Sequence, residues 1–209
     1  MDYQEIIDLA VSYSDRPRDT ELLDRMDDFL SIVEARVNRK LKVQKMSKRT
    51  NLITVESQEY YGLPVDFAGI RDIETRVDDG TNGEASRTRT TLQYLSPEQM
   101  NIAMATSSNI YYTIVANQLQ LSNVEGGLIL ELIYYSKLVP LTATYFSNWL
   151  SVDNPDTYVF GLMVEISSFV KNPEAKMLWD QRFIDSLGEI TSDDSVSRWS
   201  GTALRTRLG

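Results

Sequence analysis

The run GLILELIYYSKLVPL is apolar at both of its period-two sets of positions, Leu128, Leu130, Leu132 and Tyr134 interleaving with Ile129, Glu131, Ile133 and Tyr135 in a β-branched and aromatic pattern. This predicts a strand over Leu128 to Lys137 that is covered on both faces. Pro140 removes a backbone donor and disfavours further pairing, and Pro155 suits the first turn of a helix for which Asn154 or Asp156 can accept free amide hydrogens. Val159, Leu162, Met163, Ile166, Phe169 and Val170 follow at three- and four-residue spacing, so one wide face of that helix is packed, and Gly161 allows a close neighbour. A second helix is predicted from Pro173 to about Ile190.

Helical spacing also marks the N-terminal part. Gln4 to Tyr13 reads as a short amphipathic helix broken at Arg16-Pro17. Asp19 or Thr20 caps a longer helix whose stripe is Leu22, Leu23, Met26, Phe29, Leu30, Val33, Val37 and Leu41. From Val43 the period shortens, predicting strands at Val43 to Ser47, Leu52 to Val55, Ile70 to Val77 and Thr88 to Leu95. Asp79-Gly80 and Asn82-Gly83 suit a hairpin tip. A brief helix from Ser96-Pro97 to about Ala105 precedes a tight hairpin, Tyr111 to Val115 and Gln118 to Leu121, turning at Ala116-Asn117. The fold class is α+β: a helical bundle from residues 1–42 and 150–192, an inserted antiparallel β module at 43–140, and a C-terminal extension at 193–209.

Composition narrows the chemistry. The 209 residues contain no cysteine and no histidine, which excludes disulfides, thiolate metal sites and most hydrolytic triads. No apolar run reaches the about 18 residues of a membrane span, and MDYQEIID is acidic where a secretory signal is basic, so a soluble product of the cytoplasm is expected. A net charge of −9 argues against the whole molecule holding nucleic acid. Against that background Arg36, Arg39, Lys40, Lys42, Lys45, Lys48 and Arg49 form an uninterrupted basic stretch. It reads as a solvated face at a helix end, as a contact for an acidic neighbour such as the next subunit of this acidic protein, or as a nucleic-acid site.

No phosphate loop is present, Gly126-Gly127 being a turn, and the pairs Asp27-Asp28, Asp78-Asp79 and Asp193-Asp194 lack the spacing of a calcium loop. No catalytic, cofactor or metal residue is therefore assigned. Glu131 and Glu165 lie in apolar segments and would serve glycosidic acid-base chemistry only if they met in a cleft; otherwise each points outward or pairs with Arg or Lys. Trp149 and Trp179 read as packing residues. The terminal SVSRWSGTALRTRLG buries little by itself. It is either a frayed tail or an extension that orders on a partner, with Trp199 as anchor and Arg198, Arg205 and Arg207 meeting acidic groups.

The order of a strand ending Tyr134-Tyr135, then Lys137-x-x-Pro140-Leu141, Asn148-Trp149-Leu150 and Asn154-Pro155-Asp156-x-Tyr158-x-x-Gly161 resembles the head-to-tail adaptor (connector) proteins of tailed bacteriophages. KNPEAKMLW at Lys171 to Trp179, Arg198-Trp199-Ser200-Gly201 and Tyr94 to Gln99 fit the same pattern, whereas Asp78 to Arg89 does not and reads as an insertion. The resemblance implies a non-enzymatic virion protein of the neck, assembled in the host bacterial cytoplasm, without cofactor or membrane contact. It implies a ring of twelve subunits under the portal protein, docked through the C-terminal extension. That ring would extend a channel through which genomic DNA passes without specific binding, and would offer a platform to a tail or nozzle protein. The rival readings are a virion-associated cell-wall glycosidase and a nucleic-acid module using residues 36–49.

Overall fold

The computed structural model describes residues 1–76, 89–106, 109–123 and 125–199. In chain order the elements are α1 (Tyr3–Tyr13), α2 (Thr20–Asp24), α3 (Met26–Lys40), β1 (Ser47–Ile53), β2 (Tyr60–Gly62), β3 (Phe67–Arg76), β4 (Arg89–Thr91), β5 (Gln93–Tyr94), α4 (Pro97–Thr106), β6 (Tyr111–Val115), β7 (Gln118–Leu121), β8 (Ile129–Ser136), α5 (Trp149–Asp153), α6 (Pro155–Phe169) and α7 (Pro173–Trp199). The class is α+β, and the chain forms two compact units: Met1–Lys45 with Leu138–Gly209, and Met46–Lys137. None of the described helices is long and apolar enough to cross a membrane.

In the helical unit α6 is the central element, with α1, α3, α5 and α7 packed on it. Tyr158, Val159, Leu162, Met163, Val164 and Ile166 are all buried, wider than a single stripe. Gly161 permits the closest approach, since a Cβ there would meet Val33 Cγ1 at 2.6 Å and Phe183 Cε2 at 3.1 Å. Three expectations need correction here. The stripe Leu22 to Leu41 is two helices, because the Arg25 N–H bonds Leu22 O at 3.1 Å in a tightened turn that keeps both Leu22 and Met26 buried. Asn154 makes no side-chain cap: with φ −136° and ψ 61° it closes α5 and lacks the extended backbone an N-cap uses. The capping box belongs instead to α5, where Asn148 and Ser151 bond each other's backbone. Finally, α7 continues past Ile190 to Trp199, and its Met177 lies outside the core, 75 % exposed.

Among the described residues the β unit holds two four-stranded sheets, ordered β1-β8-β3-β4 and β2-β7-β6-β5. The pair β5–β6 is parallel, and the other pairings are antiparallel. Tyr61, Leu63, Ile73, Leu92, Leu119, Leu121, Leu130, Leu132 and Tyr134 form the core. Val43 to Ser47 is not a strand, since Gln44–Met46 makes a 3-10 turn and β1 starts at Ser47. The segment predicted as one strand at Thr88 to Leu95 divides at buried Leu92, whose N–H bonds Ile73 O, and β5 then joins the second sheet. Central β8 places Leu130, Leu132 and Tyr134 in the core, while Ile129, Ile133 and Tyr135 on its other face are only half-buried. The hairpin β6–β7 turns at Ala116-Asn117 as expected, and the tip at Asp79 to Gly83 lies outside the described residues.

Candidate functional site

Most of the basic stretch is spent within the molecule. Arg36, on α3, reaches Glu165 on α6 at 3.6 Å and Asp180 on α7 at 2.5 Å, and its guanidinium lies 4.8 Å from the Phe183 ring centroid. Lys42 donates to Asn38 O, with burial lowering its pKa, and Lys45 pairs with Asp153 at 2.7 Å beside the Trp149 ring. In the β unit Lys48 pairs with Asp66 at 2.5 Å and Arg49 with Glu131 at 3.3 Å. Arg39 and Lys40 are exposed at the end of α3, where positive charge complements the helix dipole, and have no ion-pair partner among the described residues.

Glu131 and Glu165, which would serve acid-base chemistry only if they met in a cleft, are each paired with arginine within their own unit. Glu131 is 1 % exposed and stands opposite Glu74 across the β3–β8 ladder. Arg89 from β4 contacts both, at 3.0 Å to Glu74 and 3.4 Å to Glu131, and Arg49 approaches from β1. Two like charges in register are thereby neutralised by guanidinium groups whose stems also cover that face. This arrangement stabilises the sheet. Asp66 is set similarly: burial opposes its charge, but hydrogen bonds from Lys48 and Tyr134 bring its pKa below the usual range.

A buried polar knot ties the segment after β8 to the helices. Glu34, 7 % exposed, accepts from the Leu141 N–H at 2.8 Å and from the Tyr158 hydroxyl at 3.2 Å. Asn148 donates to the Tyr158 hydroxyl and to Val139 O, both at 2.8 Å. Burial raises the Glu34 pKa, and burial with the nearby Glu34 charge raises that of Tyr158. At the edge of the same region the Tyr3 hydroxyl donates to Asp27, which with burial lifts its pKa to about 12.

A cleft of about 490 Å³ lies beside the C-terminal half of α7. Val43, Ile190 and the Trp149 ring supply apolar lining, and Asp156, Glu189, Asp193 and Asp194 supply carboxylates. Asp194 is already engaged, accepting from Gln44 N at 2.7 Å and Arg198 at 2.6 Å. Thr157 also lines the cleft, fully buried, and its hydroxyl has no hydrogen-bond partner among the described residues. No group of acidic residues among those described could hold a metal ion.

The model of one protein family, described as SU10 adaptor protein, matches residues 1–207, nearly the whole chain. The chain belongs to the SU10 adaptor family. No curated protein matches it. The adaptor is thus a structural component of the phage virion, with its place at the neck.

Of the adaptor's residues singled out for docking, Arg198 sits on the last turn of α7, paired with Asp194, while Arg205 and Arg207 lie outside the described residues. Trp199 closes α7. Trp149 and Trp179 are half-buried in the adaptor's helical unit, Trp179 between Tyr13 and Phe160 at centroid distances of 6.2 and 5.9 Å. Sequence reasoning missed Glu34 and Thr157. A signal for Glu34 existed: its spacing from Leu30, Val33 and Val37 puts a carboxylate on the buried stripe of α3. Thr157 carries no such mark.

Proposed function

We propose that this adaptor assembles as a ring, of twelve subunits, beneath the portal protein, continues the channel for genomic DNA, and presents a platform to a tail or nozzle protein. The observation that carries the reading is the family match over residues 1–207. Portal docking is assigned to the C-terminal segment, with Trp199 as apolar anchor and Arg198, Arg205 and Arg207 meeting acidic groups. The net charge of −9 favours a lumen that repels DNA phosphate and lets the genome slide. Within the basic stretch Arg39, Lys40 and Lys42 are exposed with no ion-pair partner among the described residues, and Lys42 already donates to Asn38 O, so contact with an acidic neighbouring subunit is assigned to Arg39 and Lys40 first.

Electron microscopy of the purified chain mixed with portal oligomers tests the reading. A defined ring on the portal is expected, and removal of residues 200–209, which leaves α7 whole, should reduce its occupancy strongly. Absence of any portal-bound ring with the full chain would overturn the assignment.

A further inference from the structure

We infer that the outward stripe of α3 on one subunit packs, in parallel, against the outward stripe of α7 on the next copy of this chain. The inference rests on the ring proposed above and names the surface on which Arg39 and Lys40 of one copy land.

Both helices turn one face to the core of the helical unit and the opposite face to solvent. α3 buries Met26, Leu30, Val33 and Val37, and on its other side Asp28, Ile32, Ala35 and Arg39 are exposed at steps of four, three and four residues. α7 buries Phe183, Leu187 and Ile190, and opposite them Met177, Gln181, Ile184 and Gly188 are exposed at the same steps. That spacing is the seam of a pair of coiled helices, and each stripe of eleven steps runs about 16 Å. Ile32 is 45 % exposed and Ile184 50 %, so each stripe carries an aliphatic side chain half in water. Gly188 leaves the end of the α7 stripe flat, since a Cβ there would meet nothing within 4 Å, and a neighbouring helix can come close.

Charge selects a second copy and fixes its direction. α3 runs from an acidic first turn, Asp27 and Asp28, to a basic last turn, Arg39 and Lys40. The exposed charges of α7 and the residues just before it run the other way, from Lys171, Lys176 and Arg182 to Asp185, Glu189 and Asp193. Glu174 and the Arg36-bound Asp180 interrupt the basic half. Arg39, Lys40, Asp185 and Glu189 have no ion-pair partner among the described residues. A parallel alignment with Arg39 beside Gly188 sets Ala35 against Ile184 and Ile32 against Gln181, and brings Arg39 and Lys40 to Asp185 and Glu189. The antiparallel alignment would set Asp27 and Asp28 against those same carboxylates. Because the two stripes belong to different helices of one subunit, the contact is heterologous and repeats from copy to copy, as a closed ring requires.

The chain has no cysteine, so introduced pairs report proximity cleanly. The full chain carrying Ala35→Cys and Ile184→Cys, oxidised at high concentration with and without portal oligomers, should give a ladder of disulfide-linked multimers, and each single variant should stay monomeric. Asp28→Cys with Gly188→Cys, neighbours only in the antiparallel alignment, should give no ladder. Adding Arg39→Glu and Lys40→Glu to the first pair should cut ladder formation about tenfold, and adding Asp185→Lys and Glu189→Lys to that variant should restore it. No ladder from the first pair under either condition, a ladder from the second pair, efficient dimers from a single variant, or indifference to charge reversal would overturn the inference. Portal-bound rings are counted separately by electron microscopy. Rings without the ladder would count against this contact alone, and a ladder without portal-bound rings against the proposed function alone.

Discussion

Each unit buries a glutamate, and the two units treat it in opposite ways. In the helical unit Glu34 is held by neutral donors, the Leu141 N–H and the Tyr158 hydroxyl, and burial pushes its pKa up. In the β unit Glu131 faces Arg49 and Arg89, with Glu74 alongside. The difference follows from the elements. A helix-lined interior offers a returning loop whose free amide can donate inward, whereas a sheet face exposes side chains from neighbouring strands in register, where long arginines reach across. A buried carboxylate therefore reports its unit's architecture before it reports any chemistry.

The sharpest way to test the separateness of the units is to damage one core at a time. Phe183→Ala in the helical unit should cost about 3–5 kcal/mol, and Leu132→Ala in the β unit about 2–5 kcal/mol. Amide hydrogen exchange should then show protection lost in the damaged unit first, and simultaneous loss in both would mean the chain unfolds as one body.

Removing the glutamates separates the two modes of holding them. Glu34→Ala orphans the Leu141 amide and the Tyr158 hydroxyl and should lower stability by about 2 kcal/mol, measured by urea denaturation. Glu34→Gln keeps an acceptor oxygen in place and should cost less than about 1 kcal/mol. Glu131→Gln forfeits charge-assisted bonds to two guanidinium groups and should cost about 1–2 kcal/mol at low salt, shrinking in high salt as the exposed arginines are screened. A larger loss for Glu34→Gln than for Glu131→Gln would invert the comparison.

The smallest effects are in pH dependence, and their signs differ. Glu34 has a folded pKa above its ordinary value of 4.5, so the native state binds the extra proton. Its contribution is complete below that value and is lost as pH rises through the raised folded pKa. Asp66, with its pKa below 3.8 in the fold, contributes above that value and loses its contribution as pH falls through the lowered one. Denaturation midpoints against pH should therefore lose their downward slope above pH 4.5 in Glu34→Gln and flatten on the acid side in Asp66→Asn; a wild-type slope in either variant would refute the corresponding assignment.

Legibility in the sequence followed element length and special residues. Pro155 marked the start of α6, Pro97 that of α4, and Ala116-Asn117 the β6–β7 turn, because each changes the backbone locally. Three-residue β2, five-residue α5 and the 3-10 turn at Gln44–Met46 are too short to carry a period. For the site, residue type was visible and partnership was not. Arg36 to Arg49 looks like one basic face, yet Arg36, Lys45, Lys48 and Arg49 go to Glu165 and Asp180, Asp153, Asp66 and Glu131, acids distant in the chain.

By itself, then, the sequence determined the α+β class, the family resemblance and the lack of cysteine and histidine chemistry, since these depend on composition, local period and motif order. Tertiary structure alone decided that β5 joins β6 rather than the sheet of β4, that Glu34 accepts from the Leu141 amide and the Tyr158 hydroxyl, and that Thr157 lines one cleft with Asp156, Glu189 and Asp193. These depend on which distant segments share an interior, and no local spacing encodes the charge or donor that a buried group will meet there.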